Sequence, residues 1–442
     1  MQAPKAEPDA AETPWPSPVR GWTVVVLLGL ASIVSQFDRT VVNLTVEPLK
    51  AAFDLDDTRF GMLQGVAFGV FYVLACVPIG RLADRYQRRL IIALGLLLFS
   101  PFAMASGLAR TYWQLFLMRV GVGVGEASLT PAGFSMLSDL FPPERLGRPL
   151  GAFLMSAPVG QGLAFILGGS LLGWLATSPL LQVGPLAGHA PWQAAFMIIG
   201  FPGLLLVPLF LLVKEPMRRG PGGRDPLKIG EVAAIVGSRR KALIPMVVGF
   251  AMVSLVSYVF FIWTPALFQR TYGWSPAQVG LGFGLIVMTV GTAGAYFGGW
   301  MSDRMSARGH LDAPLKVAGF GFVGCGVFGV LAPLMPTAPL ALLMVAPALF
   351  LANTPYACAG TALQLIIPNR ARAQVSAMYI TLTTLVGLTV GPIVVGLMTD
   401  RIFKNPADIR YSMAIVVGVA APLMFILMML ACRPFRALRT EG

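Results

Sequence analysis

A run of about 20 predominantly apolar residues is long enough to cross the hydrocarbon of a bilayer as a helix, the one open-ended structure that pairs its own backbone groups there. This chain contains twelve such runs: 21–50, 58–82, 89–109, 112–140, 146–176, 191–213, 242–271, 276–302, 313–334, 337–367, 371–402 and 409–432. Only 12% of its 442 residues are charged, against roughly a quarter in soluble domains. The sequence therefore predicts an all-α membrane protein with twelve transmembrane helices.

The remaining segments divide the chain. Residues 1–20 are rich in Pro, Ala and Glu, lack the apolar core of a secretory signal, and read as a disordered tail. The longest internal polar stretch, 214–241, separates a 21–213 bundle from a 242–435 bundle; its start is a Pro/Gly linker and its second part has the composition of a surface helix. Residues 436–442 form a second tail. Cys76, Cys325, Cys358 and Cys432 lie far apart in apolar runs, and His189 and His310 in loop-like stretches, so neither a disulfide framework nor a metal site is expected, and no cofactor.

The net charge of +13 would suit a nucleic-acid binder, but its distribution points elsewhere. With the N-terminus placed in the cytoplasm, the inner segments hold 24 of the 33 Lys and Arg, the outer loops 7, and the helices 2. That asymmetry is the positive-inside signal of a multi-pass protein with both termini cytoplasmic, in an inner membrane, and it requires no nucleic acid.

The chain also repeats itself. GMLQGVAFGVFYVLACVPIGRLADR (61–85) and GLGFGLIVMTVGTAGAYFGGWMSDR (280–304) align at an offset of 219 residues, matching Gly61 with Gly280, Gly80 with Gly299, Asp84 with Asp303 and Arg85 with Arg304. PPER at 142–145 has a weaker echo in IPNR at 367–370. Two pseudo-symmetric six-helix bundles in parallel repeat are the arrangement of major facilitator proteins. GRLADRYQRR (80–89) resembles the signature loop between helices 2 and 3 of that superfamily, with Gln87 where the pattern has glycine. FDRTVVN, DRYQRR, RVGVGVGEAS, LSDLFPPERLGR and APVGQG together resemble its spinster branch, which moves lysophospholipids or sphingosine phosphate.

Four ionisable residues fall deep within predicted spans: Asp38, Arg39, Arg119 and Glu126. Each unpaired charge at the bilayer centre costs roughly 2.5–3.5 kcal/mol, so these side chains must pair, meet water or be neutralised. Arg119 and Glu126 are two helical turns apart and share a face about 10 Å long. Gly123 between them leaves room for a ligand or another helix. The surrounding glycine run lacks the order and the strand–helix setting of a phosphate loop. In helix 1, Gln36, Arg39, Thr40, Asn43 and Glu47 form one stripe, read as facing an aqueous cavity, with Asp38 pointing towards other helices of its half. An Asp38–Arg119 pair that only locks helices 1 and 4, and a Glu126 that is only a satisfied acid, are the plain structural alternatives. Desolvation favours a neutral acid and a nearby arginine favours the anion, so a carboxylate between the two can exchange a proton as a cavity opens and closes. The spinster resemblance implies proton coupling at Asp38 and Glu126.

Asp84 and Arg85 end helix 2 on the inner side. Asp84 is placed to cap a helix of the other half, such as helix 11, and Arg88 to pair with Asp139; Asp303 and Arg304 repeat the device. In the superfamily such contacts hold the inner side shut. YVFFIWTP (258–265) and GLTVGPIVVG (387–396) are read mainly as packing surfaces.

These observations predict a secondary active transporter working by alternating access, coupled to protons and acting as a monomer in the lipid bilayer. Arg39 and Arg119, with Gln36, Thr40 and Asn43, would bind an amphipathic anionic lipid, a lysophospholipid or sphingoid phosphate. A small organic anion or a drug is the rival substrate, and a transporter-like membrane sensor the rival class. No nucleophile–base pair supports an enzyme.

Overall fold

The computed structural model of the protein describes residues 15–184, 186–219, 229–368 and 370–440. The predicted tail falls mainly outside these residues, since 1–14 are not among them, as does linker segment 220–228. Every long element among the described residues is a helix. Helix 1 is Pro18–Leu44, helix 2 Asp57–Arg85, helix 3 Arg88–Ser106, helix 4 Tyr112–Glu126 with Leu129–Leu140, helix 5 Gly147–Thr177 and helix 6 Pro191–Leu212. Helix 7 is Arg240–Tyr272, helix 8 Pro276–Ala307, helix 9 Ala313–Leu334, helix 10 Ala338–Ile366, helix 11 Arg372–Leu397 continued by Met398–Phe403, and helix 12 Ile409–Thr440. Eleven of these are unbroken helices long and apolar enough to span a bilayer. The twelfth, helix 4, is interrupted at Ala127 and Ser128. Pro131 accounts for the break, because it lacks an N–H and its ring crowds the carbonyl four residues earlier.

Three boundaries differ from expectation. Helix 1 stops at Leu44, and the chain resumes as the short helix Val46–Phe53, because Pro48 cannot bond back to Leu44. Helix 1 also starts earlier, at Pro18, a residue pre-set for a first helical turn. At the other end, 436–440 are helical and not a tail. The polar turns there are tied down by Phe435, which is fully buried, and by Arg439, whose Nη1 donates to Leu311 O at 2.9 Å. The linker carries the surface helix Ile229–Ser238.

Twelve crossings return the chain to the face from which it started, here called the terminal face; the opposite one is the far face. The two halves meet along two matching seams, helix 2 on helix 11 and helix 5 on helix 8. The repeated glycines make those seams possible. A Cβ on Gly61 would lie 2.8 Å from Pro392 O, and one on Gly280 only 2.2 Å from Phe165 O. Gly65 and Gly284, at the same offset, sit equally close to the backbones of helices 11 and 5. Both glycine-rich stretches widen into π-helical turns, Leu63–Val70 and Val287–Gly291. The seams lie in the far-face half of the molecule. Nearer the terminal face, Phe71–Arg85 packs chiefly on helices 3 and 4, and Thr292–Ala307 on helices 9 and 10, each within its own half. The halves are thus sealed at the far face and part towards the terminal face.

Candidate functional site

The four intramembrane charges form two crossed ion pairs between helices 1 and 4. Asp38 and Arg119 make the inner one: Arg119 Nη1 donates to Asp38 Oδ2 at 2.6 Å and Nη2 to Oδ1 at 2.8 Å. Nη2 also donates to Ser106 Oγ at 3.0 Å, and the guanidinium lies 5.3 Å from the Phe196 ring. Asp38 is 0% and Arg119 1% exposed. A two-pronged pair with further hydrogen bonds is the geometry that lets opposite charges remain in an apolar interior.

The second pair borders the cleft. Arg39 donates to Glu126 Oε2 from Nε at 2.8 Å and from Nη2 at 2.5 Å. Its guanidinium rests over the Phe68 ring at 4.3 Å and the Tyr72 ring at 5.1 Å, both from helix 2. The Arg39 side chain remains 24% exposed while that of Glu126 is 2% exposed. Arg39 is therefore a cation held by aromatic rings and one carboxylate, with one side open. Glu126 closes the first segment of helix 4, at the break. Its carboxylate also lies beside Ser35 of helix 1.

The glycines of RVGVGVGEAS bring helix 4 against its neighbours. A Cβ on Gly123 would reach 2.7 Å from Phe68 O in helix 2, and one on Gly125 2.7 Å from Phe99 N in helix 3. Gly123 thus makes room for a helix and not for a ligand.

The predicted substrate set is divided by this geometry. Arg39 and Gln36 keep access to solvent. Arg119 does not, because Asp38 and Ser106 occupy it. Thr40 is 1% and Asn43 6% exposed: the upper part of the helix 1 stripe is closed by the far-face seam. Asn43 Nδ2 donates to Phe261 O of helix 7 at 3.1 Å, and Gln64 donates to Asn43 Oδ1.

The expected inner latch takes a different form. Arg88 does bond Asp139, but it is 1% exposed and also holds Glu215 Oε1 at 2.8 Å, Ser135 O at 2.9 Å and Pro216 O at 2.9 Å. All these groups belong to the N-terminal half and the start of the linker leaving it, so the cluster fastens that half together and, among the contacts of Arg88, none reaches the described residues of the other half. Asp84, Arg85 and Asp303 are exposed and make no ion pair among the described residues. Arg304 lies 5.6 Å from the Trp300 ring.

Sequence reasoning missed the far-face lock. Arg270, at the end of helix 7, donates to Glu47 Oε1 at 2.7 Å and grips Asp57 through Nη1 and Nη2, both at 2.7 Å. Lys50 is a further partner of Asp57. Asp400 of helix 11 accepts from the first backbone N–H groups of helix 2, at 3.2 Å from Asp57 and 2.7 Å from Thr58, capping that helix from the opposite half. The signal was present as Asp57 opening one apolar run and Arg270 closing another, but charges at span ends also serve topology.

In the C-terminal half, Tyr258 of helix 7 lies near Arg39, and Tyr356 of helix 10 lies against Ser254 and Ser257, both buried. Most of 258–265 is core: Trp263 is fully buried and its Nε1 donates to Pro392 O at 3.2 Å. Gly387 and Gly391 seat helix 11 on Ser254 and Leu255 of helix 7.

Two pseudo-symmetric bundles, closed at one face and parted at the other around intramembrane charges, are the architecture of a membrane transporter. The profile of the Major Facilitator Superfamily matches residues 28–392, and the chain belongs to that family of transporters. It is 29% identical over 424 residues to an MFS-type efflux pump of Mycolicibacterium smegmatis, covering 95% of this chain and 94% of that protein. It is 28% identical over 418 residues to Protein spinster homolog 1 of Homo sapiens, covering 88% and 75%. Its fold superposes with a TM-score of 0.82 on the crystal structure of a bacterial homologue of the human lysosomal transporter Spinster in an inward-facing, unoccupied conformation, at 25% identity over 96% of this chain and 99% of that one.

Proposed function

We propose that this transporter couples the movement of an amphipathic anion to protons, with Arg39 as the substrate-facing cation and Glu126 as the proton carrier. The observation that carries this reading is the Arg39–Glu126 pair, in which one side of the guanidinium faces the cleft while its counter-ion is buried. An anionic substrate group and Glu126 compete for the same arginine. Arrival of the anion frees Glu126 from its partner, and a buried carboxylate without a partner takes up a proton. Departure of the substrate restores the pair and expels the proton. Asp38 and Arg119 stay paired and serve as the fixed join between helices 1 and 4.

A lysophospholipid or sphingoid phosphate suits the one accessible cation, Arg39, with the Phe68 and Tyr72 rings beside it, and accords with the spinster relatives. The hydroxyl of Tyr258 near Arg39, together with the efflux-pump relative, favours a second reading: a small organic anion or drug. On the positive-inside distribution the terminal face is cytoplasmic, with both termini in the cytoplasm and the chain in the inner membrane. Asp84, Arg85, Asp303 and Arg304 then belong to the inner face, where they approach one another when that face closes. The chain carries out the cycle as a monomer.

Uptake into proteoliposomes, compared for lysophospholipids, sphingoid phosphates and short carboxylates, tests the substrate. Substrate-driven proton movement with the lipids and none with the carboxylates supports the first reading; the reverse selects the second. Binding without turnover would indicate a sensor.

A further inference from the structure

Away from the cleft, helices 8, 9 and 10 enclose a groove of about 200 Å³ near the terminal face. Phe297, Met301 and Met305 of helix 8 form one wall, Val317 and Phe320 of helix 9 another, and Leu351 of helix 10 the back. Phe320 is 61% exposed, so the groove opens on the outer surface of its half, where lipid lies. The volume is below the roughly 300–1,000 Å³ of pockets for drug-sized ligands and suits part of one hydrocarbon chain. Two methionines give its wall an adaptable shape.

One charged side chain, Lys316, sits among these apolar residues. It occupies the first turn of helix 9, where a cation opposes the helix dipole, so its position does nothing for the helix itself. Its Nζ contacts Asp312 Oδ1 at 3.1 Å, and Arg436 of helix 12 reaches Asp312 Oδ2 at 3.5 Å. Two cations thus bracket one buried acid and leave net positive charge. Lys316 is 32% and Arg436 51% exposed, so both retain donors towards the membrane interface.

We propose that this groove binds an anionic phospholipid of the surrounding bilayer, its phosphate held by Lys316 and Arg436 and one acyl chain lying between helices 8 and 9. Basic pockets between transmembrane helices recognise anionic head groups in this way, and a phosphate accepts the fork of an arginine and the point charge of a lysine together. The site is separate from the transport cleft, and its occupation ties helix 8 to helices 9 and 12.

Delipidated protein titrated with phosphatidylglycerol or phosphatidylcholine, with bound lipid counted by native mass spectrometry, tests the assignment. Wild-type protein should retain phosphatidylglycerol about tenfold more strongly. The combined variant Asp312→Asn, Lys316→Gln, Arg436→Gln strands no charge and should lose that preference, while Lys316→Arg with Arg436→Lys should keep it. Equal retention of the two lipids by wild-type protein, or an undiminished preference in the neutral variant, would overturn the proposal.

Discussion

Arg39 donates two hydrogen bonds to a single oxygen of Glu126 and leaves one side of its guanidinium open to the cleft. Its sequence neighbour Asp38 takes the other helix 4 partner, Arg119, in a fully buried pair. Adjacent residues of helix 1 therefore have different work. The buried pair joins the two helices, and on the proposed mechanism a competing anion opens the bordering pair.

That division predicts unequal mutants. Asp38→Asn leaves the Arg119 charge buried without a counter-ion, and breaking such a pair costs about 3–5 kcal/mol. Replacing both partners, as in Asp38→Leu with Arg119→Met, should recover much of the loss. Glu126→Gln leaves Arg39 reachable by water and should destabilise far less. Thermal unfolding in detergent checks the order, with Asp38→Asn below Glu126→Gln and the double replacement above Asp38→Asn.

Helix 4 depends on close approach. A methyl group at Gly125 would meet Phe99 N at 2.7 Å, and backbone cannot swing aside as a side chain can. Gly125→Ala should destabilise by about 1–3 kcal/mol, the usual range for overpacking, and displace Glu126 from Arg39. A lower melting temperature accompanied by lost transport is the expected result.

The far-face lock should set the resting conformation. Arg270→Gln removes the bond to Glu47 and the two-pronged grip on Asp57, so the far-face seam should open more often. Spin labels introduced through Arg59→Cys and Lys404→Cys, on opposite halves of that face and with the native cysteines replaced, report the separation. A new population at longer distance is expected in Arg270→Gln.

The Arg88 cluster predicts the opposite outcome. Arg88→Met should lower thermal stability, since it strands Asp139 and Glu215, yet the distance distribution between the halves should stay unchanged, because every partner of Arg88 lies on one side of the cleft.

The spans, the two-bundle repeat and the four intramembrane charges were legible in the sequence, since apolar run length and the 219-residue offset are properties of the chain alone. Pairing was less so. Helical spacing places Arg119 and Glu126 on one face of helix 4 but carries no register between helices, so in the sequence Arg119 reads as a candidate for substrate. Only the contact with helix 1 assigns it to Asp38. For the same reason Thr40 and Asn43, on the Arg39 stripe, are covered by a seam whose depth no single helix reveals. The lock escaped because Arg270 and Asp400 lie more than 200 residues from Glu47 and Asp57 and meet them only when the halves close.

The most direct test of the account is uptake into proteoliposomes under an imposed pH gradient, comparing wild-type protein with Glu126→Gln and adding substrate exchange without a gradient. Proton coupling through Glu126 predicts gradient-driven accumulation in wild type and its loss, by at least tenfold, in Glu126→Gln, with exchange largely preserved. Accumulation in Glu126→Gln that follows the pH gradient as wild type does would contradict it.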